Sequence, residues 1–144
     1  MLAPYVRGFV RAALVWLGVG IAIGLGMAWW PAEHLAYRPA HAHANLLGFL
    51  SMFVFGVGYH VLPRFVGKPL SERQARWAVW HLWIQNAGLI LMVVGWLARP
   101  WRWDTGQWLV MAGAPVSAIG VGIFGAIAWR LVGKGGSIDR PPGR

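Results

Sequence analysis

The sequence predicts an all-α protein, a bundle of four transmembrane helices with both termini cytoplasmic. Three observations carry this. Four apolar runs, 11–30, 42–63, 77–98 and 108–129, hold no Asp, Glu, Lys or Arg beyond their edges. Each has about the 20 residues that cross a bilayer as helix, and lipid offers no water to backbone groups left outside a helix. Tryptophans gather at the boundaries, with Trp29, Trp30, Trp101, Trp103 and Trp108 at one and Trp77, Trp80 and Trp129 at the other, as in an aromatic belt. Basic residues alternate from side to side. Arg7 and Arg11, then Arg64, Lys68, Arg73 and Arg76, then Arg130, Lys134, Arg140 and Arg144 share one side. The other side has Arg38, Arg99 and Arg102, the last two beside Asp104. The positive-inside rule puts the richer side in the cytoplasm.

In chain order, residues 1–10 form a short, partly amphipathic entry to the first span. That span is too long for a cleaved signal's apolar core and is expected to be retained. Pro31 should end it, because proline cannot continue the hydrogen-bond ladder. Residues 31–40 then make an outer loop. Pro63 should end the second span. In the inner loop, 64–76, the run Ser71-Glu72-Arg73-Gln74 can cap an approach to the third span. Arg99-Pro100 should end that span, and Asp104 or Thr105 should cap the fourth, which Pro115 is expected to kink. One domain, 1–132, is followed by a tail at 133–144 whose lack of apolar residues predicts disorder.

The composition sets further bounds. A hydrophobic share of 58% with only four acidic residues points to a multi-pass membrane protein, expected in a bacterial-type inner (plasma) membrane. The net charge of +9 is spent on flanks that face lipid headgroups, so nucleic acid is not an expected partner. With no cysteine, disulfides, zinc–thiolate sites, iron–sulfur clusters and thioether-linked haem are excluded. No carboxylate pair or nucleophile–base arrangement supports hydrolysis, and no acidic residue inside a span supports ion transport.

The chemistry concentrates in Arg38-Pro39-Ala40-His41-Ala42-His43-Ala44-Asn45, at the mouth of the second span. Histidine is the commonest metal and haem ligand, and an ionisable group at this depth marks a functional site more often than elsewhere. His34 joins His41 and His43 on the outer side, while His60 and His81 fall near the inner ends of the second and third spans. About 25 Å of axial rise separates His43 from His60, so one ion cannot take both. Within a regular helix His41 and His43 point about 160° apart, and they share an ion only if the turn is irregular. His60 and His81, at similar depth, are either satisfied interfacial side chains or a shared ligand or proton relay. Met27, Met92 and Met111 are possible soft ligands. The glycines of the first and fourth spans, among them Gly18, Gly20, Gly24, Gly120 and Gly122, either let helices approach closely or make room for a flat macrocycle.

The stretch 38–63 resembles helix two of the catalytic subunit I of haem–copper oxygen reductases, above all the cbb3-type oxidases and the nitric oxide reductases. There an Arg-x-x-His-x-Asn segment opens the helix and a Tyr-containing turn with proline closes it. Here Arg38 to His41 match the front, His43-Ala44-Asn45 the back, and Tyr59-His60-Val61-Leu62-Pro63 the end. Two extra residues keep front and back out of register. Either His41 or His43 inherits the role of axial ligand to a low-spin haem b, with His43 preferred because it lies deeper. The resemblance implies Arg38 on a haem propionate, Asn45 orienting a ligand or propionate, and Trp29, Trp30 and Trp103 walling the slot. It covers about 25 residues. The chain reads as a short stand-alone relative, too small for a complete oxygen-reducing centre, so no enzyme activity is assigned. A sixth ligand would come from His41, His34, a methionine, or His43 of another protomer in a homodimer.

The expected function is therefore an integral membrane b-type cytochrome that transfers electrons, from or to a cytochrome or quinol, or binds a small gas. The alternatives are a copper-binding or copper-delivery protein using the His-x-His cluster, and a cofactor-free subunit of a respiratory complex.

Overall fold

The computed structural model describes residues 2–29 and 34–133, without the side chain of His34. Helix α1 spans Pro4–Trp29 and α2 spans His34–His43. The chain continues without a break through a π-helical run, Ala44–Ser51, into α3, Met52–Phe65. Helices α4, Glu72–Ala98, and α5, Trp103–Gly133, complete the described residues. Four spans result: Pro4–Trp29, Leu35–Phe65, Glu72–Ala98 and Trp103–Gly133, each long and apolar enough to cross a membrane. No strand occurs among the described residues.

The helices outrun the apolar blocks at nearly every end. Apolarity marks the part that lies in hydrocarbon, whereas hydrogen bonding continues until a residue breaks it. Residues 4–10 are helix rather than a separate entry. The outer loop expected at 31–40 is corrected: from His34 onward it is the start of the second span, and Pro39 sits inside the helix. Pro63 does not end the second span either. The stop is a Schellman turn two residues past the last helical one. Gly67, at φ +64°, adopts a conformation that glycine takes freely, and it closes the motif with Gly67 N–H donating to Arg64 O (3.2 Å) and Lys68 N–H donating to Pro63 O (2.9 Å). Ser71 forms the expected capping box, accepting from Gln74 N while Gln74 Oε1 accepts from Ser71 N. Helix α4 ends at Ala98 with Arg99 as its cap, as the Arg99-Pro100 pair predicts. Helix α5 starts at Trp103, so Asp104 and Thr105 lie in its first turn and the Arg102 carbonyl receives the first bond, from Gly106 N at 2.9 Å. The stop expected at Pro31 and the tail beyond Gly133 lie outside the described residues.

Helix α1 runs antiparallel to the second span along a ladder of small against large. Gly24 faces His41, Gly20 faces Asn45, Gly48 faces Trp16 and Gly56 faces Phe9. The Tyr5 and Tyr59 rings meet at 5.9 Å at its lower end. Helices α4 and α5 form an equally close pair. A Cβ on Gly88 would lie 2.5 Å from Ser117 N, and one on Gly95 would lie 2.8 Å from Gly106 O. In lipid, small residues allow the close van der Waals contact that replaces a hydrophobic driving force. At these positions the glycines serve packing, and side chains occupy the room they leave. Gly18, Gly26, Gly122 and Gly125 meet nothing within 4 Å. Their faces, with Leu14, Ile21, Ile119 and Val121, are exposed to what surrounds the bundle.

Candidate functional site

The antiparallel order gives the bundle two ends. The terminal end carries residues 2–5, the 66–71 turn and the end of α5. The opposite end carries the start of the second span and the 99–102 turn. His41, His43, Arg38 and Asn45 all lie at the opposite end, on α2 and its junction with the π-helical run. A π turn widens a helix and is found preferentially at functional sites. Here Ser51 Oγ donates to Leu46 O at 2.8 Å within it, and Asn45 Nδ2 donates to the carbonyl of His41 at 2.9 Å where it begins.

Because α2 is regular, the two imidazoles diverge. His41 turns to α1. Its Nδ1 donates to Gly20 O at 2.9 Å, and its ring fills the place a Cβ on Gly24 would take, 2.9 Å from Cε1. Asn45 Nδ2 lies 3.5 Å from its Nε2. His43 turns to α4. Its Nδ1 donates to Pro39 O at 2.7 Å, and its ring stacks on Trp96 at 6.1 Å and 28°. A carbonyl only accepts, so in both rings the proton sits on Nδ1; the His41 Nε2 then accepts from Asn45 Nδ2, and the His43 Nε2 lone pair is left for another partner. Metal-ligating histidines are held by the same arrangement. A single ion shared by His41 and His43 is not what this helix presents.

Trp96 and Arg99 join this site, and the sequence reading did not single them out. The Arg99 guanidinium lies between two indoles, 4.3 Å from Trp96 and 4.0 Å from Trp103. Two buried donors, Trp96 Nε1 and Arg99 Nε, have no acceptor. Both residues border a cleft of about 460 Å³, with Leu35, Pro39, Pro100 and Trp103. An acceptor with more than one oxygen, such as a carboxylate, would satisfy both. The signal was present as Trp96-x-x-Arg99, three apart on one helix face, but nothing in the sequence brings it to His43. Arg38 is exposed on the same end. Trp103 borders this cleft, Trp29 is exposed, and Trp30 and the His34 side chain lie outside the described residues.

His60 and His81 are not brought together. His60 accepts from Arg64, one turn along its own helix. His81 is fully buried in the core, with Nδ1 2.9 Å from Tyr59 Oη. Among the described residues no group of three metal-ligating side chains forms. Met92 is buried in α4 and Met111 is exposed.

Comparison with known proteins gives one partial likeness. The chain is 32% identical over 63 residues to two sequences described as cytochrome c oxidase subunit 1, both from Thermus thermophilus. The match covers 44% of this chain, 58% of the shorter relative and 11% of the longer. No family model matches the sequence. No solved structure matches it. The chain is thus a multi-pass membrane protein with a haem–copper oxidase subunit I-like sequence over part of its length.

Proposed function

We propose that this chain binds a b-type haem at the end of the bundle opposite its termini, with His43 as axial ligand, and serves electron transfer or small-gas binding. One observation carries the reading most. His43 has its proton fixed on Nδ1 by Pro39 O, its Nε2 without a partner, and a ring stacked on Trp96 beside two buried donors that lack an acceptor. A haem has one demand for an imidazole lone pair and two propionate carboxylates, and the residues present fit both. His43 would hold the iron, and Arg99, Trp96 Nε1 and the exposed Arg38 would take the propionates through charge-assisted hydrogen bonds. When bound, the group would supply a one-electron redox couple. The Trp96 and Trp103 indoles would exclude water from one side of it, and Pro39 O would keep the His43 ring in one tautomer.

His41 is the lesser candidate, because α1 already occupies its surroundings. The two rings face different helices, so a second axial ligand would come from outside the chain's own His-x-His pair. His43 of a second copy in a homodimer would supply it. The cbb3-type character, the cytoplasmic placement of both termini, residence in a bacterial plasma membrane and a cytochrome or quinol as redox partner extend the same proposal.

The test is the purified protein, expressed with added haem precursor and analysed for metal and porphyrin together. Haem b at one per two chains where two copies share it through His43, or near one per chain where the second ligand comes from elsewhere, and lost in His43→Ala, supports the reading. Copper without porphyrin would replace it with the copper reading, and neither in a well-folded preparation would leave a cofactor-free subunit.

A further inference from the structure

Three arginines at the terminal end play no part in the site above. Arg73 and Arg76 stand in the first two turns of α4, and Arg130 stands in the last turn of α5. All three are exposed. The two on α4 oppose that helix's macrodipole, whose N-terminal end favours anions. Orientation in a membrane calls for cations on one side of the bilayer, but not for cations at this end of a helix.

The three meet over two grooves. Arg73, Arg76, Trp77, Trp80 and Ile84 border one of about 440 Å³ along a single face of α4. Arg73 and Trp77 also border a second, of about 270 Å³, together with Ile123, Ala126, Ile127 and Arg130 of α5. Both grooves pass from guanidinium to hydrocarbon. Along α4 the order is Arg73, Trp77, Trp80, Ile84, a rise of about 16 Å. Along α5 it is Arg130, Ile127, Ile123, a rise of about 10 Å. The Trp77 and Trp80 indoles are exposed at the level where an aromatic belt sits. Among the described residues no carboxylate lines either groove, and Glu72, beside Arg73 in the first turn, is in neither wall. An anion complements the rim, and hydrocarbon complements the floor.

We propose that this face binds one anionic phospholipid, its phosphate held by Arg73 with Arg76 and Arg130 to either side, and its two acyl chains lying on the two sides of Trp77. A guanidinium forks onto phosphate oxygens, and basic pockets between membrane helices suit anionic headgroups. A headgroup that adds an ammonium to its phosphate would set a cation against three guanidiniums with no carboxylate to receive it, so the net negative lipid is selected. A free phosphate would meet the same arginines but leave both apolar floors bare. Arg73 and Trp77 belong to both grooves, which fits a single phosphate with one chain in each. None of these residues takes part in the haem proposal, and the lipid site stands or falls without it.

The test is native mass spectrometry of the full-length protein in detergent, titrated with palmitoyl-oleoyl-phosphatidylglycerol. The first equivalent is expected to bind at least tenfold more tightly than phosphatidylcholine with the same chains. Arg73→Gln should weaken it about fivefold, as should Arg130→Gln, the worth of one cation beside an anionic lipid. Arg7→Gln removes the same charge from an exposed position of α1 at the same end and should leave binding within twofold. All these positions are exposed, so the variants should keep the wild-type midpoint of thermal unfolding. Inorganic phosphate in hundredfold excess should not displace the lipid. Equal binding of the two lipids, an Arg7→Gln effect as large as that of Arg73→Gln, or displacement by inorganic phosphate would each overturn the proposal.

Discussion

The two ends of the bundle treat histidine in opposite ways. At the opposite end, His41 and His43 are half-buried and tied through Nδ1 to backbone carbonyls of Gly20 and Pro39; His41 Nε2 meets Asn45, and His43 Nε2 has no partner. At the terminal end, His81 is fully buried among four aromatic rings and meets another side chain, the Tyr59 hydroxyl. Backbone carbonyls fix a tautomer without consuming the second nitrogen, and they cost the fold little if the imidazole is removed. A side chain enclosed in a core becomes part of the packing. The first arrangement leaves a lone pair available for a ligand. The second places a proton donor or acceptor deep in the bundle.

This contrast is open to attack by mutation, because stability and ligand binding should separate between the ends. The largest expected effect is His81→Ala. It opens a cavity among Phe9, Phe55 and Phe124 and strands the Tyr59 hydroxyl, and should cost about 3–5 kcal/mol of stability, read as a lowered midpoint of thermal unfolding in detergent. Gly24→Ala should follow. Its Cβ would come 2.9 Å from His41 Cε1, and displacing that ring from α1 should cost about 1–3 kcal/mol. Trp16→Phe removes the hydrogen bond from Trp16 Nε1 to Asn86 Oδ1 (3.0 Å) that links α1 to α4, and should cost about 1–2 kcal/mol by the same measurement. The smallest stability effect should be His43→Ala, below about 1 kcal/mol, since its ring bonds only a carbonyl of its own helix. If His43→Ala proved as destabilising as His81→Ala, the two ends would not differ as argued.

The difference between the ends also governs what was legible beforehand. The four spans were plain because charge is confined to the gaps between apolar runs. Their ends were not, because hydrophobicity reports hydrocarbon depth rather than helix length. An outer loop is expected over 31–40, yet residues 34–40 are helical, with Pro39 inside the helix. Pro63 read as the stop, while the stop is Gly67, whose role lies in a positive φ that apolarity does not encode. His41 and His43 stood out because they are clustered in a short motif. Their divergence followed from helical geometry once α2 proved regular. The His81 enclosure was not legible. Phe9, Phe55, Tyr59 and Phe124 come from three helices, and no local pattern announces their meeting. Trp96 and Arg99 were hidden for the same reason, since their proximity to His43 depends on the antiparallel packing of α4 against the second span.

The central claim, that the imidazole at the mouth of the second span holds a haem, is tested most directly by the reduced-minus-oxidised absorption spectrum of His43→Ala beside those of wild type and His41→Ala. The account predicts a Soret and α-band difference in wild type, retained in His41→Ala and abolished in His43→Ala, with all three proteins folded. An unchanged spectrum in His43→Ala, or no porphyrin signal in haem-supplemented wild type, would contradict it.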